Sequence, residues 1–126
     1  MKGVELGLLA VGGVLGTFLR YKITGSPLLF GALQVNVLIV NVIGSFILGL
    51  FFVASTQWSL DTKYVLFLAV GFCGSLTTMS AFALESGSLI ENKQFGLVAL
   101  NILANVGLSI GAIFAGKSIM GFVMHA

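Results

Sequence analysis

Charge is the feature that leaves this chain fewest ways to fold. Its charged side chains fall into five small groups, around Lys2, Arg20, Asp61, Glu85 to Lys93, and Lys117. The gaps between them are long enough to cross a bilayer, since a spanning helix needs about 20 apolar residues and at least ~17. Leu28 to Leu60 carries no charge at all. With 58% hydrophobic and 8% charged residues among 126, the chain lies far from the soluble average, in which about a quarter of residues are charged. The pattern predicts an all-α membrane protein of one domain, 1–126, with spans at about 3–20, 31–54, 64–86 and 95–116.

The same composition excludes several functions. A net charge of +2 without a basic cluster gives nucleic acid nothing to bind. The one cysteine, Cys73, rules out an internal disulfide or a cysteine metal site, and the one histidine, His125, sits beside the C-terminus. Enzyme chemistry has little to work with. The first apolar run also has the outline of a secretory signal, but no small-x-small cleavage pattern follows and three further spans do.

Along the chain, Gly12-x-x-x-Gly16 reads as a close packing face on the first span. Arg20-Tyr21-Lys22 ends that span at an interface, and Gly25-Ser26-Pro27 turns the chain. The second span carries Asn41 and Ser45 four residues apart, hence on one face. An amide so deep in a span must find a partner or line a pore. The last span repeats the pattern with Asn101, Asn105 and Ser109, and Gly107-x-x-x-Gly111 reads as a second packing seam. Glu85 is either a group in a wet vestibule or an interfacial residue.

The third span does not read as an ordinary membrane helix. Gly71 to Phe82 holds two glycines and four hydroxyl side chains, which weaken a helix and compete for its hydrogen bonds. Non-helical backbone at membrane depth persists only where protein buries it or water reaches it, so a break here points to an ion or substrate site. The bland reading is a Ser/Thr-rich helix contact.

Four spans place both termini on one side. Lys2, Lys63 and Lys117 then lie with the termini, and Arg20, Lys22 and Lys93 lie opposite. Orientation follows Lys/Arg asymmetry between loops, and none exists. The chain should insert both ways, so that two opposed copies pair about an axis in the membrane plane.

Three motifs carry a resemblance. Gly12-Gly13-x-x-Gly16-x-x-x-Arg20-Tyr21, Asn41-x-x-Gly44-Ser45-Phe46-x-x-Gly49 and Gly71-Phe72-Cys73-Gly74-x-Leu76-Thr77-Thr78-x-Ser80-x-Phe82 closely resemble the Fluc/CrcB fluoride channels, over all four spans. The resemblance implies an antiparallel dual-topology dimer in the plasma (inner) membrane, two fluoride pores, a sodium ion between subunits, and export of fluoride that enters as neutral hydrogen fluoride. It implies Asn41, Ser80, Phe82 and Ser109 as pore residues, carbonyls of Gly74 and Thr77 on sodium, and Arg20 at the pore mouth. Met79 stands where the family usually has its first pore phenylalanine, Ala81 where a threonine is common, Ser75 where a glycine is common and Ile113 where a hydroxyl is frequent. Some members pair unlike subunits; retained Asn41 and Phe82 and balanced charges favour a homodimer.

Two other classes fit four spans. A small multidrug-type exporter would want a carboxylate midway along the first helix, where only Glu5, near its end, is present. A non-transporting membrane subunit would use the glycines and amides for packing alone.

Overall fold

The computed structural model describes residues 2–125. Helix α1 spans Gly3–Thr24, α2 Asn36–Gln57 and α6 Phe95–His125. Between α2 and α6 the chain forms α3 (Thr62–Val65), a π-helical segment (Leu66–Cys73), α4 (Gly74–Leu76) and α5 (Met79–Glu91). Four helical stretches are long and apolar enough to cross a membrane: Gly3–Thr24, Asn36–Gln57, Thr62–Glu91 and Phe95–His125. This is a multi-pass membrane protein. In no span is more than 28% of the most apolar window buried within the chain. Most of the apolar surface therefore faces outward, as a bilayer permits.

The helices pack as two pairs, α1 against the π-helical segment and α2 against α6. Close backbone approach explains both. A Cβ at Gly12 or Gly16 would strike the carbonyl oxygen of Phe67 or Phe72, so the Gly12-x-x-x-Gly16 face is used for packing. On the other pair, a Cβ at Gly49 would meet the Ile113 carbonyl and one at Gly116 the Phe46 carbonyl. Gly107 and Gly111, read above as a packing seam, face open space within this chain. The seam lies lower on α6, at Gly116.

Helix α2 begins at Asn36, five residues beyond the Gly31 start that hydropathy suggested. Leu29–Phe30 (β1) pairs antiparallel with Leu33–Gln34 (β2), turning at Gly31 with φ of 62°. Asn36, 2% exposed, holds this connection together. Its Oδ1 accepts the Leu28 N–H at 2.8 Å, and its Nδ2 donates to the carbonyls of Ile23 and Ser26 at 2.8 and 2.9 Å. Helix α6 runs nine residues past Gly116, to His125. At 31 residues it is ~46 Å long, exceeding a ~30 Å hydrocarbon core, so it must tilt or project. Lys117 does not end it, because its Nζ lies 4.3 Å from the Phe52 ring centre, where the stem packs and the charge is stabilised by the ring face.

Candidate functional site

The third span is wound unusually before a two-residue extended step. After the π-helical turns, α4 stops at Leu76; Thr77 (φ −83°, ψ 157°) and Thr78 (φ −151°, ψ 122°) are extended, and α5 starts at Met79. An extended step of this kind releases backbone groups that must find other partners. Side chains supply some of them. Thr78 Oγ1 caps α5 by accepting the Ala81 N–H at 3.2 Å. Asn41 Oδ1 accepts the Thr78 N–H at 2.8 Å. Arg20 Nε donates to the Ser75 carbonyl at 2.9 Å. Thr77 turns back on the helix it leaves, with both its N–H (3.1 Å) and its hydroxyl (3.0 Å) donating to the Cys73 carbonyl.

The four carbonyls from Gly74 to Thr77 lose their ordinary helical partners where α4 ends, and that of Ser75 takes Arg20 instead. In a continuous helix the Gly74 carbonyl would take the Thr78 N–H, which goes to Asn41 instead. The Thr77 carbonyl would take the Ala81 N–H, which goes to Thr78 Oγ1 instead. Of the other three, those of Gly74 and Thr77 belong to residues that line the cavity beside the step, and that of Leu76 does not.

Beside the step lies a cavity of about 380 Å³. Asn41 and Ser45 of α2, Gly74 and Thr77 of the third span, Met79 and Phe82 of α5, and Asn105 and Ser109 of α6 all line it. None of its lining residues is charged. Asn41 Nδ2 donates to Asn105 Oδ1 at 2.9 Å and makes a longer contact, 3.4 Å, with the Thr78 carbonyl. The Ser109 hydroxyl is buried without a hydrogen-bond partner among the described residues. An unpaired hydroxyl inside a protein is costly unless something in the cavity bonds to it. Met79, 72% exposed in the single chain, is at the cavity's outer edge.

Of the residues read from sequence, Asn41, Met79, Phe82 and Ser109 gather around this cavity together with Gly74 and Thr77. Ser80 does not line it; its hydroxyl is exposed, 3.2 Å from Thr78 Oγ1. Arg20 lies in a second cavity of about 380 Å³, with Thr24, Gln34, Glu85, Ser88 and Asn92. Thr78 lines both cavities, so the extended step is the wall they share. Sequence reasoning missed what Asn105 and Asn101 do. Asn105 Nδ2 donates to Asn101 Oδ1 at 2.8 Å and to the Asn101 carbonyl at 3.0 Å, and Asn101 Nδ2 donates to Ser86 Oγ at 2.9 Å. The spacing by fours showed the shared face but not which helix faced it.

A family model described as CrcB-like protein, Camphor Resistance (CrcB), matches residues 7–117. The chain belongs to the CrcB family. All the cavity residues fall inside the matched region. This CrcB chain is 64% identical over 124 residues to a protein of Nitrosopumilus maritimus named fluoride-specific ion channel FluC, with 98% of each chain covered. A FluC of Methanococcus maripaludis is 42% identical over 90% of this chain and 93% of its own, and one from a Sulfurihydrogenibium species 46% identical over 86% and 90%. These relatives are named as ion channels, and ion channels are not enzymes.

Proposed function

We propose that this chain is a passive, fluoride-selective channel that works as an antiparallel homodimer and protects its cell by letting fluoride out. One observation carries the reading. The cavity at the extended step offers an amide, an unpartnered hydroxyl and an aromatic ring, with no fixed charge, in a chain whose relatives are named fluoride channels.

Fluoride is small and tightly hydrated, so a pore must exchange its water for positive ends of dipoles. Ser109 O–H and Asn41 N–H are such donors. Of the two Asn41 hydrogens, the one near the Thr78 carbonyl is held at only 3.4 Å, and it is the one an anion would accept in place of that carbonyl. The Phe82 ring presents a positive edge to an anion beside it. A lysine or arginine at this point would hold the ion, whereas conduction needs binding weak enough for release. Met79, in place of a second ring, keeps the wall apolar and polarisable.

The oxygens of Gly74 and Thr77 fit a hard cation, because their helical amide partners have gone to side chains and oxygen is the ligand such ions prefer. A sodium ion bound there would add a fixed positive charge between subunits. The residues' own part is to hold two carbonyls out of the helix, which Asn41 and Thr78 do. A second, opposed copy supplies what one chain leaves open: Met79 at the cavity edge and Gly107 and Gly111 on the bare face of α6. The balanced three-to-three loop charges support that arrangement.

Neutral hydrogen fluoride crosses membranes in acid and dissociates inside, trapping the anion; a passive exit then runs down the gradient. The test is growth of a cell lacking its own fluoride exit, in mildly acidic medium with fluoride. Expression of this chain should restore growth. Membrane-inserted protein without rescue would overturn the proposal.

A further inference from the structure

The polar side chains running from the cavity wall to Ser86 form a single file in which each donates to the next and Ser86 accepts last. Thr78 N–H donates to Asn41, Asn41 to Asn105, Asn105 to Asn101, and Asn101 to Ser86, over 2.8, 2.9, 2.8 and 2.9 Å. A backbone N–H is a donor only, so it fixes Asn41 with its oxygen toward Thr78. Asn41 must then present nitrogen to Asn105, which must present oxygen, and the order passes on to Ser86. Asn101 and Asn105 are buried, 2% and 5% exposed, and Ser86 is 9% exposed. The bonds among Asn105, Asn101 and Ser86 are buried, and chains of bonds in such surroundings polarise one another. Asn101 and Ser86 line neither of the cavities described above.

From this we infer that Ser86, Asn101 and Asn105 are positioning residues, a relay whose function is to set the orientation and donor strength of the Asn41 amide. The inference rests on the reading of Asn41 as a pore amide and names what controls it. Asn105, by accepting one Asn41 hydrogen, leaves only the loosely held second hydrogen for an anion. Ser86, on α5 behind the relay, governs the pore without touching it, which ties the position of α5 to the donor at the extended step.

Ser86→Ala removes the last acceptor and leaves the rest of the file in place, and Ser86→Thr restores a hydroxyl. Fluoride efflux from liposomes, per folded dimer, should fall roughly three- to tenfold in Ser86→Ala, the span of a single neutral hydrogen bond, and recover in Ser86→Thr. Ser86→Ala/Asn105→Ala should be no slower than Asn105→Ala, because one relay is cut twice; independent packing roles would multiply. The side-chain NH₂ resonances of Asn41, observed by nitrogen-15 NMR, should shift in Ser86→Ala. An unmoved Asn41 signal, or multiplying losses, overturns the relay. If Ser86→Ala does not fold, the wild type decides: the NH₂ protons of Asn101 and Asn105 must resist hydrogen exchange, and free exchange refutes the file. A wild type with an intact NMR signature and no fluoride flux defeats the channel reading and leaves the relay standing.

Discussion

Replacing Asn41 by aspartate keeps the side chain's outline and exchanges its N–H donors for an acceptor. The bond from the Thr78 N–H at 2.8 Å survives, so the extended step stays anchored. What is lost is donation to Asn105 Oδ1 at 2.9 Å. Leaving that acceptor unpaired costs about 1–3 kcal/mol, which lowers stability without abolishing the fold. The effect on the ion is larger. A carboxylate ~4 Å from fluoride repels it by about 4 kcal/mol at an effective dielectric constant of ~20. At ~1.4 kcal/mol per factor of ten, flux should fall by about three orders of magnitude. The assay is fluoride release from liposomes, measured with a fluoride electrode, on protein shown by size-exclusion chromatography to be a monodisperse dimer. Wild-type flux from such an Asn41→Asp dimer would refute the reasoning, and Asn41 would revert to a helix-packing amide.

Phe82→Ile removes the ring edge at modest change in volume and should cut flux at least tenfold in the same assay, whereas Met79→Phe should conduct at or above the wild-type rate. Thr77→Ala should leave sodium dependence intact, because the proposed ligand is the carbonyl, while Gly74→Val should weaken dimerisation; unchanged dimer and flux after exhaustive sodium replacement would remove the cation from the account. A reporter fused after Ala126 should register on both sides of the membrane, and two lysines added to one loop should bias it; a wild-type reporter confined to one side contradicts the opposed dimer.

Much of this architecture was legible because a bilayer makes simple demands. Charge-free runs of spanning length identified the four helices, and the Gly/Ser/Thr-rich stretch from Gly71 to Phe82 marked where the third would be irregular. Asn41 stood out as an amide deep in a span, and Ser109 as one of a polar row with Asn101 and Asn105. The illegible features are those that depend on which surfaces meet. Gly107-x-x-x-Gly111 and Gly12-x-x-x-Gly16 have the same pattern, yet only the second faces a neighbouring backbone. The π-helical winding of Leu66–Cys73 has no local signature, since the segment is almost uniformly apolar. Asn36 lies inside the charge-free run from Leu28 to Leu60 with nothing in the sequence to mark it, whereas three bonds make it the organiser of a loop. Arg20 read as a pore-mouth charge, and it also closes the end of α4 through the Ser75 carbonyl. Asn101 and Asn105 showed their periodicity, but the single-file bonding became visible only with α2, α5 and α6 in place.

The most direct measurement is fluoride release from liposomes holding the purified wild-type chain, recorded beside chloride release from the same preparation. The account predicts rapid fluoride loss once an ionophore relieves the charge imbalance, little chloride loss, and the same fluoride rate whether or not a proton gradient is imposed. Vesicles that contain folded dimer and retain their fluoride, or that release it only when protons move with it, would contradict the account.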